Sequence, residues 1–324
     1  MTHHARHETA TFLGFAGGVF NPEDLVALPG TPWIVVSAMR VLRDRGALFA
    51  IDREGTTPAF EIPWAPAAEV ARRPRFDPHG IDVRRRGDGR FELLVVDHGE
   101  GEAIDRLTVD ASEGRPRIVA GERTEQPAGT SGNAVAFEPG GGFVVTSMFD
   151  PRDDHRIEKF AAGAPTGAVW RWTATDGWTR IGPALSGANG IAVSPDGAFI
   201  VVSEWSRRCV HRLARTGEVE ATVAVDFLPD NVRWTRAGQL LLAGQNTAPE
   251  ALFGCEARGE PCPLACSVVE LDPATMQVRP LVQLSDDEAH ALGFGGATGA
   301  LEVDDVIWLG TFTGERIARF ALRL

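Results

Sequence analysis

The chain has 324 residues, 44% of them hydrophobic and 23% charged, an ordinary globular balance that permits a large core. Its net charge is −12 and its basic residues are scattered arginines with a single lysine, Lys159, so no basic block offers a footprint to nucleic acid or an anionic membrane. The opening "MTHHARHETATFLGF" lacks an apolar signal core, and no stretch approaches the ~18 apolar residues of a membrane span, so the expectation is a soluble, cytoplasmic protein.

In chain order, "ETATFLGFA" (8–16) reads as a strand. "EDLVALPGTPWIVVSAM" (23–39) then sets a pattern: a polar head, alternating apolar residues, a Gly/Pro turn and a continuous apolar run. Alternation predicts a half-buried strand, and the continuous run predicts a strand covered on both faces. "GALFAIDR" follows as a third strand. The outline recurs in "HGIDVRRRGDGRFELLVVDH" (79–98), "NAVAFEPGGGFVVTSMF" (133–149), "SGANGIAVSPDGAFIVVSEW" (186–205), "DNVRWTRAGQLLLAGQ" (230–245) and "TGALEVDDVIWLGTF" (298–312). Each copy has its own third strand: "AIDRLTV", "AVWRWTA", "CVHRLAR", "SVVELDP" and "RIARFAL".

Six copies of a roughly four-stranded unit predict an all-β fold: one six-bladed β-propeller over 1–324, with four-stranded blades and the last blade closed by the N-terminal strand. A two-sheet sandwich would not need six similar units. Closure removes the exposed sheet edge.

Between the repeats, "VLRDR" (41–45), "DPRDDHRIEKFAAGAP" (150–165) and "NTAPEALFGCEARGEPCPLAC" (246–266) are expected to cover one end of the channel, the last two as lids. Phe149, Trp205 and Phe312 follow inner-blade strands and are candidate pocket walls. Trp170, Trp172 and Trp178 alternate with charged residues and are expected between blades. Cys209 reads as a buried thiol in a strand. Cys255, Cys262 and Cys266 lack the spacing of a zinc ribbon or finger, leaving a local disulfide or free thiols. No oligomeric state is readable.

The first strand of each propeller blade lines the channel, so equivalent positions meet in a ring. The heads are Glu23, His79, Asn133, Asn189 and the pair Asp230-Asn231, with Thr298 the odd one out. Two carboxylates and three amide carbonyls suit Ca²⁺ in charge and hardness and suit zinc poorly. Taken singly, such residues also begin strands and turns for purely structural reasons.

These heads, together with "FDPHGIDV", "LLVVDHGEGEAIDRL", "GNAVAFEPGGGFVVTS", "ANGIAVSPDGAFIVVSE" and "LPDNVRW", resemble the blade starts of the paraoxonase family, calcium-dependent lactonases and arylesterases within the wider gluconolactonase-like propellers. The likeness runs from about residue 12 to the end. It implies a catalytic calcium held by Glu23, Asn133, Asn189, Asp230 and Asn231, and a histidine dyad of His79 and His98. It also implies a second calcium on Asp24 and the Ile81 carbonyl, but Ala134 stands where that site needs a carboxylate. The family's disulfide between chain ends and its N-terminal anchor have no counterpart. "PDNVRW" and "VVSEWSRRCVHRL" equally resemble strictosidine synthase-like propellers.

The resemblance implies a hydrolase for a small lactone or ester, with calcium polarising the carbonyl and His79 taking a proton from water. Asp230 as direct nucleophile is the rival within that chemistry. No G-x-S-x-G is present to support a serine hydrolase. The other classes are a non-catalytic calcium-binding or interaction propeller and a metal-free strictosidine synthase-like enzyme.

Overall fold

The computed structural model of the chain describes residues 10–41, 43–66, 68, 74–258 and 263–322. Among these residues the sheets number six, each of four antiparallel strands. Blade one comprises Pro22–Ala27, Trp33–Ala38, Ala47–Asp52 and Phe60–Glu61. Blades two to five follow in chain order, their innermost strands being Pro78–Arg85, Ser131–Phe137, Ala188–Val193 and Leu228–Trp234. Blade six takes Ala297–Val303, Val306–Thr311 and Arg316–Leu322 from the C-terminal end and Ala10–Gly17 from the N-terminal end. Ala10 pairs with Leu322, so the first strand closes the last blade as the sequence predicts. Each innermost strand touches those of both neighbouring blades, which completes the ring. No helix among the described residues is long and apolar enough to cross a membrane.

The core is a set of layers between blades. In the second strand of blade one, Ile34 and Val36 pack toward blade six while Val35 packs toward blade two. Both faces are therefore covered, which is why the second strand of each copy is continuously apolar. The Arg106 guanidinium of blade two lies over the Trp172 ring of blade three at 5.5 Å, and the Trp178 indole donates to the Glu125 carbonyl of the preceding blade at 2.8 Å. These two tryptophans thus join blades two and three.

Every innermost strand breaks register with its partner at its head: at Glu23, His79, Asn133, Asn189, Asp230-Asn231 and Thr298. A β-bulge re-aims side chains and leaves backbone groups unpaired. Hydroxyls from the second strand meet part of that need. The Asp24 N–H donates to Ser37 Oγ at 3.1 Å, the Ala134 N–H to Thr146 Oγ1 at 2.9 Å, and Ser203 Oγ to the Asp230 carbonyl at 2.9 Å. In alternate blades a glycine follows the head because the next inner strand lies against it. A Cβ on Gly190 would sit 2.3 Å from the Asp230 carbonyl oxygen, and one on Gly80 equally close to that of Asn133.

Gly190→Ala should therefore destabilise the protein by about 1–3 kcal/mol, the usual cost of overpacking. Gly87→Ala, in an exposed turn with nothing near its Cβ, should change stability by less than about 0.5 kcal/mol. Chemical denaturation of the two variants beside the parent checks this.

Candidate active site

The bulged heads converge on one mouth of the channel. Glu23, His79, Asn133, Asn189, Asp230 and Thr298 line a single cavity there, of about 530 Å³ including the part open to solvent. Asn231 lies behind this ring and turns its amide nitrogen to Glu23 Oε1 at 2.7 Å, so the amide must rotate to offer oxygen instead. His79 Nε2 stands 3.5 Å from Glu23 Oε1 and 3.5 Å from Asn133 Nδ2. Gln245, from the second strand of blade five, donates to Asp230 Oδ2 at 2.8 Å and to the Ala297 carbonyl.

The oxygens of this ring are short of partners. Glu23 Oε2, Asn133 Oδ1 and Asn189 Oδ1 are buried without any hydrogen bond. Burial, with Asp24 adding repulsion, lifts the Glu23 carboxyl well above its usual pKa; burial and then Glu23 do the same to Asp230. Three buried acceptors without donors and two carboxyls that resist ionisation form a donor set suited to a hard cation, which would satisfy the first and relieve the second.

Behind His79 runs a chain of hydrogen bonds. His79 Nδ1 lies 2.9 Å from His98 Nε2, and His98 Nδ1 lies 2.9 Å from Glu102 Oε2. Glu102 also accepts from the Gly132 N–H at 3.0 Å, which ties the relay to the inner strand of blade three. Burial and the neighbouring His98 push His79 down to about 3. Burial alone would depress His98 too, but the hydrogen bond and charge of Glu102 outweigh it and raise its pKa. An added proton thus resides on His98, and His79 stays neutral. Glu102 was not singled out in the sequence, although an acidic residue four places after His98 in a glycine-rich turn was available as a signal.

The roof of the cavity is apolar. Both expected lids carry a short helix, α1 (Arg156–Ala161) and α2 (Pro249–Arg258), and the two pack together. Phe160 of α1 stacks on Phe253 of α2 at 5.9 Å, and both contact Trp205. Trp205 and Phe312 line the cavity, together with Met39, Met148 and Phe253. Phe149 does not: its ring packs on Phe160 at 6.2 Å and under the Arg156 guanidinium. One residue on from Met148 in the same strand, it points the other way.

Asp24 and the Ile81 carbonyl, the donors expected for a second calcium, both accept hydrogen bonds from Arg233 Nη2. Away from the channel, Glu204, Cys209 and His211 offer ligand atoms within 4.8 Å of one another, a group able to hold a metal ion. In the structure they bond among themselves, with His211 Nε2 2.8 Å from Glu204 Oε2 and Nδ1 2.8 Å from Thr222 Oγ1. Burial and the Glu204 charge push the Cys209 thiol up to about 12. Cys266 is a free buried thiol and Cys255 is disulfide-bonded; Cys262 lies outside the described residues.

No protein-family model matches the chain, and no curated protein does. Solved structures do. A gluconolactonase from Xanthomonas campestris is 18% identical, with a TM-score of 0.58 over 100% of this chain and 94% of its own. A second protein, described as a "putative gluconolactonase", is 17% identical, with the same TM-score over 98% of this chain and 93% of its own. A luciferin-regenerating enzyme is 11% identical, again at 0.58, over 94% and 92%. The chain is a six-bladed β-propeller whose structural neighbours include gluconolactonase-like propellers; at these identities the likeness is one of fold.

In the metal-free protein an NMR titration should find His98 titrating above its ordinary 6.5 and His79 neutral down to about 3. Glu102→Gln should move His98 downward. The raised His98 adds stability that is full below pH 6.5 and lost as pH rises through its folded pKa, whereas His79 costs stability as pH falls from 6.5 toward 3.

Proposed function

We propose that this chain is a calcium-dependent hydrolase of lactones or related esters. The observation that carries this reading is the set of buried, unpartnered oxygens on Glu23, Asn133 and Asn189 beside a histidine relay, under an apolar roof. Glu23, Asn133, Asn189 and Asp230, with Asn231 once its amide rotates, would hold the ion, which when bound would supply Lewis-acid polarisation of a substrate carbonyl.

The residues of the chain do the rest. His79 faces the cavity with Nε2 and accepts a proton from the attacking water. His98 takes the Nδ1 proton of His79, so the added charge comes to rest on His98, and Glu102 orients His98 and balances that charge. The relay can take a proton only when His98 is singly protonated. Trp205, Phe312, Met148 and Phe253 shape an apolar chamber for the organic part of the substrate and limit water around the reacting bond. The fold shared with gluconolactonases supports a lactone as first substrate to try.

The test is a panel of lactones and aryl esters, assayed with calcium and with chelator. Turnover should require calcium. Glu23→Gln and Asn189→Ala should abolish it, and His79→Gln should cost ~10²- to 10⁴-fold, the range for loss of a general base. Turnover of no member of the panel by the calcium-loaded protein refutes the reading; full activity in His79→Gln removes His79 as the base.

The rate should rise with pH through the raised pKa of His98. Glu102→Gln should lower the maximal rate and move that limb to lower pH. A limb that stays in place in this variant assigns it to another group.

A further inference from the structure

Below the ring of heads, the channel holds a cation of its own. Arg233 lies on the inner strand of blade five, two residues after Asn231, and its side chain is only 11% exposed. Its Nη2 donates to Asp24 Oδ2 on blade one and to the Ile81 carbonyl on blade two. Asp24 is fully buried, and its remaining bonds are backbone: the Ile81 N–H to Oδ2 at 2.9 Å and the Leu25 N–H to Oδ1 at 2.9 Å. One terminal nitrogen therefore joins inner strands from three blades. Arg233 Nε is buried without a partner, so the guanidinium is held by its end alone.

We propose that Arg233 is a built-in cation that fills the position a divalent ion would otherwise occupy between Asp24 and the Ile81 carbonyl, and that it holds Glu23 in place through the adjacent Asp24. An ammonium-type or guanidinium charge suits this place because it can donate to the carboxylate and carbonyl together. A guanidinium is also charged at every accessible pH, so the junction needs neither metal nor a particular acidity. Its field reaches Glu23 as well as Asp82, a half-buried carboxylate on the inner strand of blade two. The inference extends the calcium reading of the mouth but is tested apart from it, on metal-free protein and without an activity assay.

In chelator, Arg233→Ala should lose roughly 10²- to 10³-fold in folding equilibrium constant, because Asp24 is left charged, buried and unpaired. Adding Asp24→Asn should restore most of that loss, since it removes the charge at fault. Guanidinium ion at low millimolar concentration, far below denaturing levels, should stabilise Arg233→Ala and leave the parent unchanged. By equilibrium dialysis Arg233→Ala combined with Ala134→Asp, which supplies the missing carboxylate, should bind one more calcium ion than the parent, a difference that holds whether or not the mouth binds calcium. Parent-like stability of Arg233→Ala, a double variant with Asp24→Asn no more stable than the single one, the absence of guanidinium rescue, or an unchanged calcium count would each overturn the proposal. If Arg233→Ala does not fold, folding of the double variant with Asp24→Asn supports it and failure of both overturns it.

Discussion

The structure turns on carboxylates brought together along the channel axis. Glu23, Asp24, Asp82 and Asp230 are carried inward by inner strands that the ring leaves no room to separate. Charges of one sign at such range are tolerated only when cations or hydrogen bonds compensate them. Below the mouth the compensation is internal, through Arg233 and backbone N–H groups. At the mouth the carboxyls are pushed toward protonation and the amide oxygens lack donors. The same axis thus contains a junction whose carboxylate is paired and a mouth whose buried oxygens on Glu23, Asn133 and Asn189 have no donor.

The bulge is the device that creates this contrast. A regular strand would alternate its side chains between the two blade interfaces, and no head would point along the channel. Breaking register at the same place in every blade turns the heads inward and frees backbone groups, which hydroxyls of the second strand then satisfy. Glycines in alternate blades let each bulge rest against the next. Function and closure therefore share residues, and a change made for one is felt by the other.

The histidine relay shows the same economy. Glu102 orients His98 and also accepts the Gly132 N–H of the next blade, one residue before Asn133. Glu102 thus also anchors the strand that carries Asn133. The apolar roof above them comes from different sequence regions, since α1, α2 and the ends of several second strands meet only over the closed ring.

Six repeats, their strand order and the register of Glu23, His79, Asn133, Asn189 and Asp230 were legible in the chain, because alternation, turn chemistry and repeat spacing are local properties. Even the placing of Trp172 and Trp178 followed from their pattern. Arg233 was not legible. Its residue type belongs equally to a solvated strand face, and only closure of the ring brings it to Asp24 and Ile81, 209 and 152 residues away. Nor was the aim of Phe149, which depends on which face of its strand meets α1. The residue types at the blade heads are fixed locally, whereas closure of the ring selects which of them find partners, because pairing across a propeller axis depends on distances that no local pattern encodes.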